Sequence, residues 1–364
     1  MDSKSFLIAC GGTGGHLFPG IAIGEKLIEK GGEVAFLISG KEIDRLATEK
    51  YGHLDFEVVP SAIFPKPWSP KMVAFLSVSS KGVAKCRSLI KDRGVKAVLG
   101  MGGFTSTTPL VAAKMSGIPG LIHESNAIPG RANRLNAKIA QRALVGWEAC
   151  RAHFPSGKVD VVGTPVRPEL FDLPPASEAK ESFGLMPDLF TVLVMGGSQG
   201  AKGINDAVTG MLPRLPSDRI QFLHITGMGA AEEVRNRYQL AGVRSEVLEF
   251  CSEMAKAYAA SDFSICRSGA SSLTEMSVVS LPGLLVPYPF AADDHQTRNA
   301  EVFVEAGACV MKEQSELQSD EVAEMIVSLL EHPEELQNMR DGMSALAPRK
   351  SADDIAELLF SLTS

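Results

Sequence analysis

The chain has 364 residues, of which 45% are hydrophobic and 22% are charged, with 34 Gly and 21 Pro. This length holds two or three domains, and the composition is that of globular proteins, which excludes collagen, coiled coil and wholesale disorder. The formal net charge of −7 argues against a general nucleic-acid binder, so no nucleic-acid partner is predicted.

The charge is distributed unevenly along the chain. Residues 1–163 contain 21 Lys and Arg against 13 Asp and Glu, whereas residues 164–364 contain 15 against 30. Most of the positive excess lies between Val58 and Lys91, a segment with six cations and no Asp or Glu. Its interleaved apolar residues indicate either a contact with a membrane surface or a core helix with a solvated basic face.

The six cysteines are scattered and include no C-x-x-C pair, so neither a disulfide framework nor a zinc site is predicted. The first apolar run, Phe6–Cys10, is too short for a signal peptide, and no stretch of about 18 apolar residues follows. We therefore expect a soluble protein, or one that lies on a membrane surface, with reduced thiols.

Two segments of the chain share one pattern, a short apolar run followed by glycines and an amphipathic stretch. The first runs from Ser5–Cys10 through Gly11–Gly15 to a predicted helix, and the second from Thr191–Met195 through Gly196–Gly200 to another. Each pattern predicts the strand, turn and helix that open a parallel α/β sheet. The two predicted helices are Ile21–Lys30 and Ile204–Leu212.

Further predicted strands continue in both halves of the chain, with helical stretches between them. They are Glu33–Ile38, Ala97–Leu99, Gly120–His123, Ala143–Val145, Gln221–Ile225, Phe263–Cys266 and Gly283–Pro287. Proline and glycine indicate a domain boundary near Val162–Pro168 or in the Pro-rich stretch Leu173–Ala176, and Asp353–Leu362 has helical spacing.

The glycine turns point either to phosphate binding or simply to tight strand-to-helix connections. Neither turn fits a dinucleotide fingerprint or a P-loop, because Leu17 and Ala201 stand where those patterns require glycine. A third glycine cluster, Leu99–Gly103, favours a ligand beyond the carboxyl ends of the strands.

Polar residues follow several of the predicted strands. His16 ends the first glycine turn, where it could accept a proton from a hydroxyl or merely bond to the backbone. Asn126 ends the cluster His123–Asn126 and could serve a site or an ordinary turn. Glu275 could bind ribose hydroxyls, although a solvated helix residue is the commoner case. With no closely spaced histidines and no D-x-D motif, neither a metal nor a cofactor is predicted.

Taken together, the ordered motifs resemble those of the MurG family of peptidoglycan glycosyltransferases. The resemblance runs from about residue 6 to 340 and rests on six segments: Gly11–Gly20, Gly102–Ser106, His123–Asn126, Gly196–Gly200, Cys266–Gly269 and Asp294–Gln296. It implies a GT-B fold, in which two Rossmann-like, doubly wound parallel-sheet domains face a cleft. The implied domains are residues 1–164 and 165–346, with a final helix over about 347–364 that packs back on the first domain.

The resemblance implies transfer of GlcNAc from UDP-GlcNAc to the 4-hydroxyl of the MurNAc sugar in lipid I. It makes Glu275 the ribose ligand, Arg167 and Ser198 diphosphate ligands, and Gln296 a ligand of the GlcNAc hydroxyls. For this reaction His16 is the candidate general base, with orientation of the diphosphate as its alternative role. The remaining implied substrate-binding residues are Thr13, Gly14, Gly15, Asn126, Cys251, Met254, Ala270, Ser271, Ser272, Leu273, Thr274 and Asn299.

The resemblance also implies a peripheral protein on the cytoplasmic face of the plasma membrane, with lipid I, anionic phospholipid and other cell-wall synthesis proteins as partners. The expected membrane contacts are Phe64, Trp68, Phe75, Leu76, Lys81 and Lys85. Three alternatives stay open, namely a UDP-sugar transferase that acts on diacylglycerol, a UDP-GlcNAc epimerase, and a non-catalytic nucleotide-sugar sensor or scaffold.

Overall fold

The computed structural model describes residues 3–40, 48, 51–60, 65, 69–197 and 200–363. The chain divides into two compact units, of which the first contains Met1–Arg167 and Pro348–Ser364 and the second contains Pro168–Ala347. The division after Arg167 lies slightly beyond the boundary expected at residue 164, so Arg167 belongs to the first unit.

The first unit is built on a parallel sheet of seven strands in the order β3-β2-β1-β4-β5-β6-β7. The strands are β1 Ser5–Ala9, β2 Glu33–Ile38, β3 Asp55–Val58, β4 Val95–Gly100, β5 Gly120–Glu124, β6 Arg142–Val145 and β7 Val159–Val161. The helices between them are α1 Gly14–Glu29, α2 Lys71–Asp92, α3 Thr107–Met115, α4 Arg131–Asn136 and α5 Glu148–Arg151.

The second unit repeats this plan with a parallel sheet of six strands in the order β10-β9-β8-β11-β12-β13. The strands are β8 Phe190–Met195, β9 Ile220–Ile225, β10 Arg244–Leu248, β11 Phe263–Cys266, β12 Gly283–Leu285 and β13 Cys309–Met311. The helices are α6 Ala176–Ser182, α7 Lys202–Met211, α8 Ala231–Ala241, α9 Met254–Ala259, α10 Ala270–Val278, α11 His295–Glu305, α12 Ser319–Glu331 and α13 Pro333–Ala345.

The last helix, α14 Ser351–Ser361, belongs to the first unit although it follows the whole of the second along the chain. Its residues Ile355 and Leu359 are buried in the same apolar cluster as Ile21 of α1. The ring of Phe360 meets the ring of Phe6 on β1 edge to face, with the centroids 5.1 Å apart.

Both faces of the first sheet are covered, which explains why its central strands read as continuous apolar runs. Phe6 and Ile8 of β1 point into the cluster that contains α1 and α14. Leu7 and Ala9 point the opposite way, into a cluster with residues of α2 and α3. A parallel sheet with helices on both faces is the predicted doubly wound α/β architecture, and the prediction is confirmed.

Candidate active site

His16 lies in the first turn of α1, directly after the glycine turn that follows β1. Gly11 must be glycine, because a Cβ at this position would approach the backbone nitrogen of Ser39 to 2.4 Å. Thr13 precedes the helix, and its backbone carbonyl oxygen accepts hydrogen bonds from the N–H groups of His16 and Leu17. The Thr13 hydroxyl lies 3.2 Å from Nδ1 of His16, so an N-cap side chain orients the imidazole.

Two glycines of the third glycine cluster lie against this imidazole. A Cβ on Gly102 would lie 2.7 Å from Nε2 of His16, and one on Gly103 would lie 3.5 Å from Cε1. Both glycines have positive φ, at 119° and 66°. Ser106 fixes the turn, because its hydroxyl donates to the Gly102 carbonyl and accepts the Gly102 N–H. The His16 imidazole therefore occupies space that a side chain at position 102 would need.

Glu124, at the end of β5, organises the loop that carries Asn126. One carboxylate oxygen accepts both the backbone N–H and the side-chain amide of Asn126, at 3.0 and 2.8 Å. The other accepts the N–H of Gly130 and the amide of Asn133, both at 3.0 Å. With its amide nitrogen held by Glu124, Asn126 directs its amide oxygen away from the carboxylate.

His123, the neighbour of Glu124, is fully buried and has a structural role. Its Nε2 lies 2.9 Å from the carbonyl oxygen of Gly163, and its Nδ1 lies 3.4 Å from the Ser125 hydroxyl. Burial lowers the pKa of His123 below its ordinary value, so the imidazole is neutral. A neutral ring that donates from Nε2 ties β5 to the segment that leads to Arg167.

Arg167 ends the main segment of the first unit and is buried, with 8% of its surface exposed. Its guanidinium carbon lies 5.1 Å from the centroid of the Phe18 ring on α1, a cation–π contact. The Phe18 ring in turn lies beside Gly14, whose Cβ position would be 3.2 Å from it. The structure therefore brings Arg167 to the end of α1 that carries Gly14, Gly15 and His16.

In the second unit, the turn between β8 and α7 again requires glycine at both ends. A Cβ on Gly196 would lie 2.4 Å from the nitrogen of Ala201, and one on Gly200 would lie 2.5 Å from the carbonyl of Thr226. Ser198, the expected diphosphate ligand within this turn, lies outside the described residues.

The predicted nucleoside segment forms the first two turns of α10, which begins at Ala270. Leu273 and Thr274 are fully buried, so their side chains lie inside the unit, whereas Ser271 and Ser272 are half-buried. Glu275 is 9% exposed, and one of its carboxylate oxygens accepts the hydroxyl of Tyr258 on α9 at 2.9 Å. Glu275 is thus a carboxylate at the edge of the core and not a solvated helix residue.

Gln296 and Asn299 lie in α11, and both hold neighbouring loops. The side-chain oxygen of Gln296 accepts the N–H of Tyr288 at 2.9 Å, which leaves hydrogen-bond donors on its amide nitrogen. Asn299 is fully buried and donates to the carbonyl of Ser268, between β11 and α10, at 3.1 Å. The loop before α11 includes Asp293 and Asp294, both with a φ of 55°, a left-handed backbone uncommon for aspartate.

Cys251 and Met254 lie at the start of α9. Cys251 is buried, and Met254, the first residue of the helix, is half-buried. Next to Cys251 is a hollow of about 460 Å³, lined by Ser182, Phe183, Glu246, Leu248, Phe250, Cys251, Ser252 and Glu253.

The basic, acid-free segment contributes α2, whose two halves differ. Its buried residues, Gly82, Cys86 and Ile90, all lie in the second half. In the first half, Val73 and Leu76 are 75% and 59% exposed, and these positions share one helical face.

The predicted membrane contacts divide between described and undescribed residues. Lys81 is exposed and Phe75 is half-buried, whereas the Nζ of Lys85 pairs with Glu57 at 3.0 Å. Phe64 and Trp68 lie outside the described residues. In the part of the chain that is described, no helix combines the length and hydropathy needed to cross a bilayer.

Three contributors to these sites were not predicted from the sequence. Gly102 lies against His16, Glu124 accepts hydrogen bonds from Asn126, and Tyr258 donates a hydrogen bond to Glu275. A signal existed for Glu124, because it lies inside the motif His123–Asn126 that was singled out. No local pattern marks Tyr258, which lies in a short helix of mixed polarity.

Two parallel-sheet units, each with a glycine turn that leads into a helix, fit the GT-B fold of glycosyltransferases. The family model "Glycosyltransferase family 28 N-terminal domain" matches residues 6–145, and "Glycosyltransferase family 28 C-terminal domain" matches residues 191–359. A crystal structure of MurG from Acinetobacter baumannii is 26% identical, with a TM-score of 0.78 and coverage of 99% of both chains. A Neisseria meningitidis UDP-GlcNAc 2-epimerase, 14% identical with a TM-score of 0.72, shares the fold and covers 98% of this chain and all of its own.

One curated relative comes from Myxococcus xanthus and is called UDP-N-acetylglucosamine–N-acetylmuramyl-(pentapeptide) pyrophosphoryl-undecaprenol N-acetylglucosamine transferase. It is 36% identical over 360 residues, which cover 98% of this chain and 92% of the relative. The chain therefore belongs to the MurG family of glycosyltransferases, as its ordered motifs predicted.

Proposed function

We propose that this enzyme transfers GlcNAc from UDP-GlcNAc to the 4-hydroxyl of MurNAc in undecaprenyl-pyrophosphoryl-MurNAc-pentapeptide, lipid I. The product is lipid II, the precursor of peptidoglycan. Transfer proceeds with inversion at the anomeric carbon and without a metal ion. The name of the full-length relative supports the reaction, and the oriented imidazole of His16 is the observation that carries the mechanism.

In the proposed mechanism, His16 is the general base. When its Nδ1–H donates to the Thr13 hydroxyl, the lone pair lies on Nε2, the nitrogen that faces Gly102. Nε2 then accepts the proton of the 4-hydroxyl while the oxygen attacks the anomeric carbon. The bond from that carbon to the UDP oxygen breaks, and UDP leaves with the electron pair, so the configuration inverts.

The remaining substrate-binding residues hold the donor and stabilise the leaving group. Glu275 binds the ribose hydroxyls, Gln296 donates from its amide to the GlcNAc hydroxyls, and Arg167 meets the diphosphate. Ser198 and the start of α7 add donors for the diphosphate, since a helix N-terminus favours an anion. These groups replace the charge that a metal ion provides in other transferases.

The decisive experiment incubates the purified enzyme with labelled UDP-GlcNAc and a lipid I analogue. We expect transfer that chelators do not abolish and a product linkage of inverted configuration. His16→Ala should lower kcat by roughly 10²–10⁴ and leave UDP affinity near that of the wild type. Unchanged turnover in that variant removes His16 from the mechanism. Transfer only to diacylglycerol, epimerisation of UDP-GlcNAc, or binding without turnover would each establish one of the alternatives.

We also propose that the first half of α2 lies on the cytoplasmic face of an anionic plasma membrane, where lipid I is presented. The exposed Val73 and Leu76 and the nearby Lys81 support this contact, because apolar and cationic side chains together favour anionic lipid surfaces. Phe64, Phe75, Trp68 and Lys85 extend the proposed contact.

Vesicle binding tests the membrane contact directly. The combined replacement of Phe75, Leu76, Lys81 and Lys85 should weaken sedimentation with phosphatidylglycerol vesicles. Because Lys85 also pairs with Glu57, a Lys85→Gln variant reports how much of the loss comes from that ion pair. Lys202→Gln, an exposed lysine of the second unit, should bind vesicles as the wild type does. Unchanged binding of the combined variant would sink the proposal.

A further inference from the structure

Tyr258 joins the two chain segments to which the nucleoside of the donor is assigned. It lies in α9, four residues after Met254, and one helical turn brings these two positions to the same face of the helix. Its hydroxyl donates to a carboxylate oxygen of Glu275 at 2.9 Å, and Glu275 lies on α10, beyond the intervening strand β11. A hydrogen bond therefore connects the segment assigned to the uracil with the carboxylate assigned to the ribose.

The contact is well suited to orient a carboxylate. Tyr258 is 3% exposed and Glu275 is 9% exposed, so the bond lies at the edge of the core, where a hydrogen bond to a charge is strong. A buried tyrosine ring has few rotamers, and the position of its hydroxyl is fixed by packing. An ionised carboxylate accepts at about four lone-pair sites, of which Tyr258 uses one.

We propose that Tyr258 is a positioning residue, which sets the orientation of Glu275 for the vicinal hydroxyls of the donor ribose. Discrimination in favour of ribose over deoxyribose then depends on a side chain that itself contacts no substrate. This inference rests on the proposed binding of the UDP moiety by the second unit, and the experiment below separates the two.

The test compares the affinities of UDP and 2′-deoxy-UDP for the full-length enzyme by isothermal titration calorimetry. We expect the wild type to prefer UDP by roughly tenfold or more, since a charged acceptor loses a hydrogen bond when the 2′-hydroxyl is absent. Tyr258→Phe should reduce this preference at least about threefold, mainly through weaker UDP binding. In turnover, the same variant should raise KM for UDP-GlcNAc more than it lowers kcat.

Tyr238→Phe is the matched control. Tyr238 is a buried tyrosine of the same unit, and its hydroxyl bonds to Nδ1 of His224 at 3.0 Å in the core. Loss of this hydroxyl should lower Tm but leave the preference for UDP over 2′-deoxy-UDP at the wild-type value. An equal fall in preference in both variants would mean that the effect follows from general destabilisation, and would overturn the positioning role.

Glu275→Ala separates the proposal from its premise. If it removes the preference for ribose while Tyr258→Phe keeps it, Glu275 binds the ribose and Tyr258 has only a structural role. If Glu275→Ala keeps the full preference, the ribose assignment itself is wrong and the positioning role falls with it. If the wild type binds no UDP, the proposed function itself is wrong. The double variant should show the same preference as Glu275→Ala alone, because both changes act on one contact.

Discussion

Each unit of the enzyme places a buried carboxylate at or beside residues that are predicted to bind substrate, and the two carboxylates are held in different ways. Glu124 of the first unit accepts four N–H groups, all from the loop and helix that follow it along the chain. Glu275 of the second unit accepts the hydroxyl of Tyr258, which arrives from a different helix.

The difference shows how one fold supports two kinds of site. In the first unit, the candidate base His16 lies against Gly102 and beside the Thr13 hydroxyl, and Asn126, predicted to bind substrate, donates to Glu124. In the second unit, the Tyr258 hydroxyl reaches Glu275 from a separate helix, whereas Gln296 and Asn299 bond to backbone groups of neighbouring loops. We therefore expect changes at His16 and Glu124 to affect kcat and folding, and changes at Glu275 to affect donor affinity.

The largest expected effect comes from adding one methyl group beneath His16. Gly102→Ala would place a Cβ 2.7 Å from Nε2 of the imidazole, so the ring must move away from its present position. We expect kcat for GlcNAc transfer to fall by roughly 100-fold, since misplacement of a reacting group by about 1 Å has that cost. The affinity for UDP, measured by calorimetry, should change little.

Gly31→Ala is the control for this variant, because Gly31 also has a positive φ beyond the αL region, 86°, but a Cβ there would meet nothing within 4 Å. It reports the cost of the left-handed backbone alone. The interpretation that glycine at position 102 leaves the space for the His16 imidazole is wrong if both variants lose stability equally and both keep the turnover of the wild type.

The same substitution in both carboxylates tests the comparison itself. Glu124→Gln puts an amide nitrogen where a carboxylate oxygen accepts two N–H groups, so it should lower the free energy of unfolding by about 1–3 kcal/mol. Glu275→Gln should leave stability nearly unchanged, because the amide oxygen still accepts the Tyr258 hydroxyl, and should raise KM for UDP-GlcNAc. Urea denaturation measures the change in stability, and steady-state kinetics measure the change in KM. The comparison is contradicted if Glu275→Gln loses the stability and Glu124→Gln raises KM for UDP-GlcNAc.

The strands that sequence patterns predicted and those they missed differ in where they lie in the sheets. The central strands, such as β1 and β8, were found because burial on both faces leaves uninterrupted apolar runs. The missed strands β3, β7, β10 and β13 are the four edges of the two sheets. They are short or carry charged side chains, as edges exposed to water commonly do, so the apolar pattern fails there.

The candidate site residues could be predicted where each belongs to a single local sequence motif. His16 and Asn126 follow strand ends, where parallel sheets collect functional residues, and the sequence places them there. The contact of His16 with Gly102, or of Tyr258 with Glu275, joins residues from separate elements, and no local spacing encodes it. The prediction that the glycines at 102 and 103 border a ligand stays a prediction, and the structure adds that they lie against the His16 imidazole.

The last expected effect concerns pH, because each unit also buries a neutral histidine on a strand. His123 lies on β5 and His224 on β9, where Nε2 of His224 donates to the Asn205 side chain and Nδ1 accepts the Tyr238 hydroxyl. Burial lowers the pKa of His123, and it lowers the pKa of His224 to about 3. Between pH 6.5 and about pH 3, the unfolded chain binds a proton at His224 that the folded chain does not bind. The free energy of unfolding therefore falls by up to about 1.4 kcal/mol for each unit of pH.

Stability from His224 is therefore complete above pH 6.5 and decreases as the pH falls toward 3. We expect Tm to fall between pH 6.5 and 4.5, and His224→Gln to flatten that fall even though it lowers Tm at neutral pH. His153→Gln, at an exposed position, should keep the wild-type dependence. If His224→Gln leaves the pH dependence unchanged, the acid sensitivity comes from other groups, and His123 in the first unit is the next to replace.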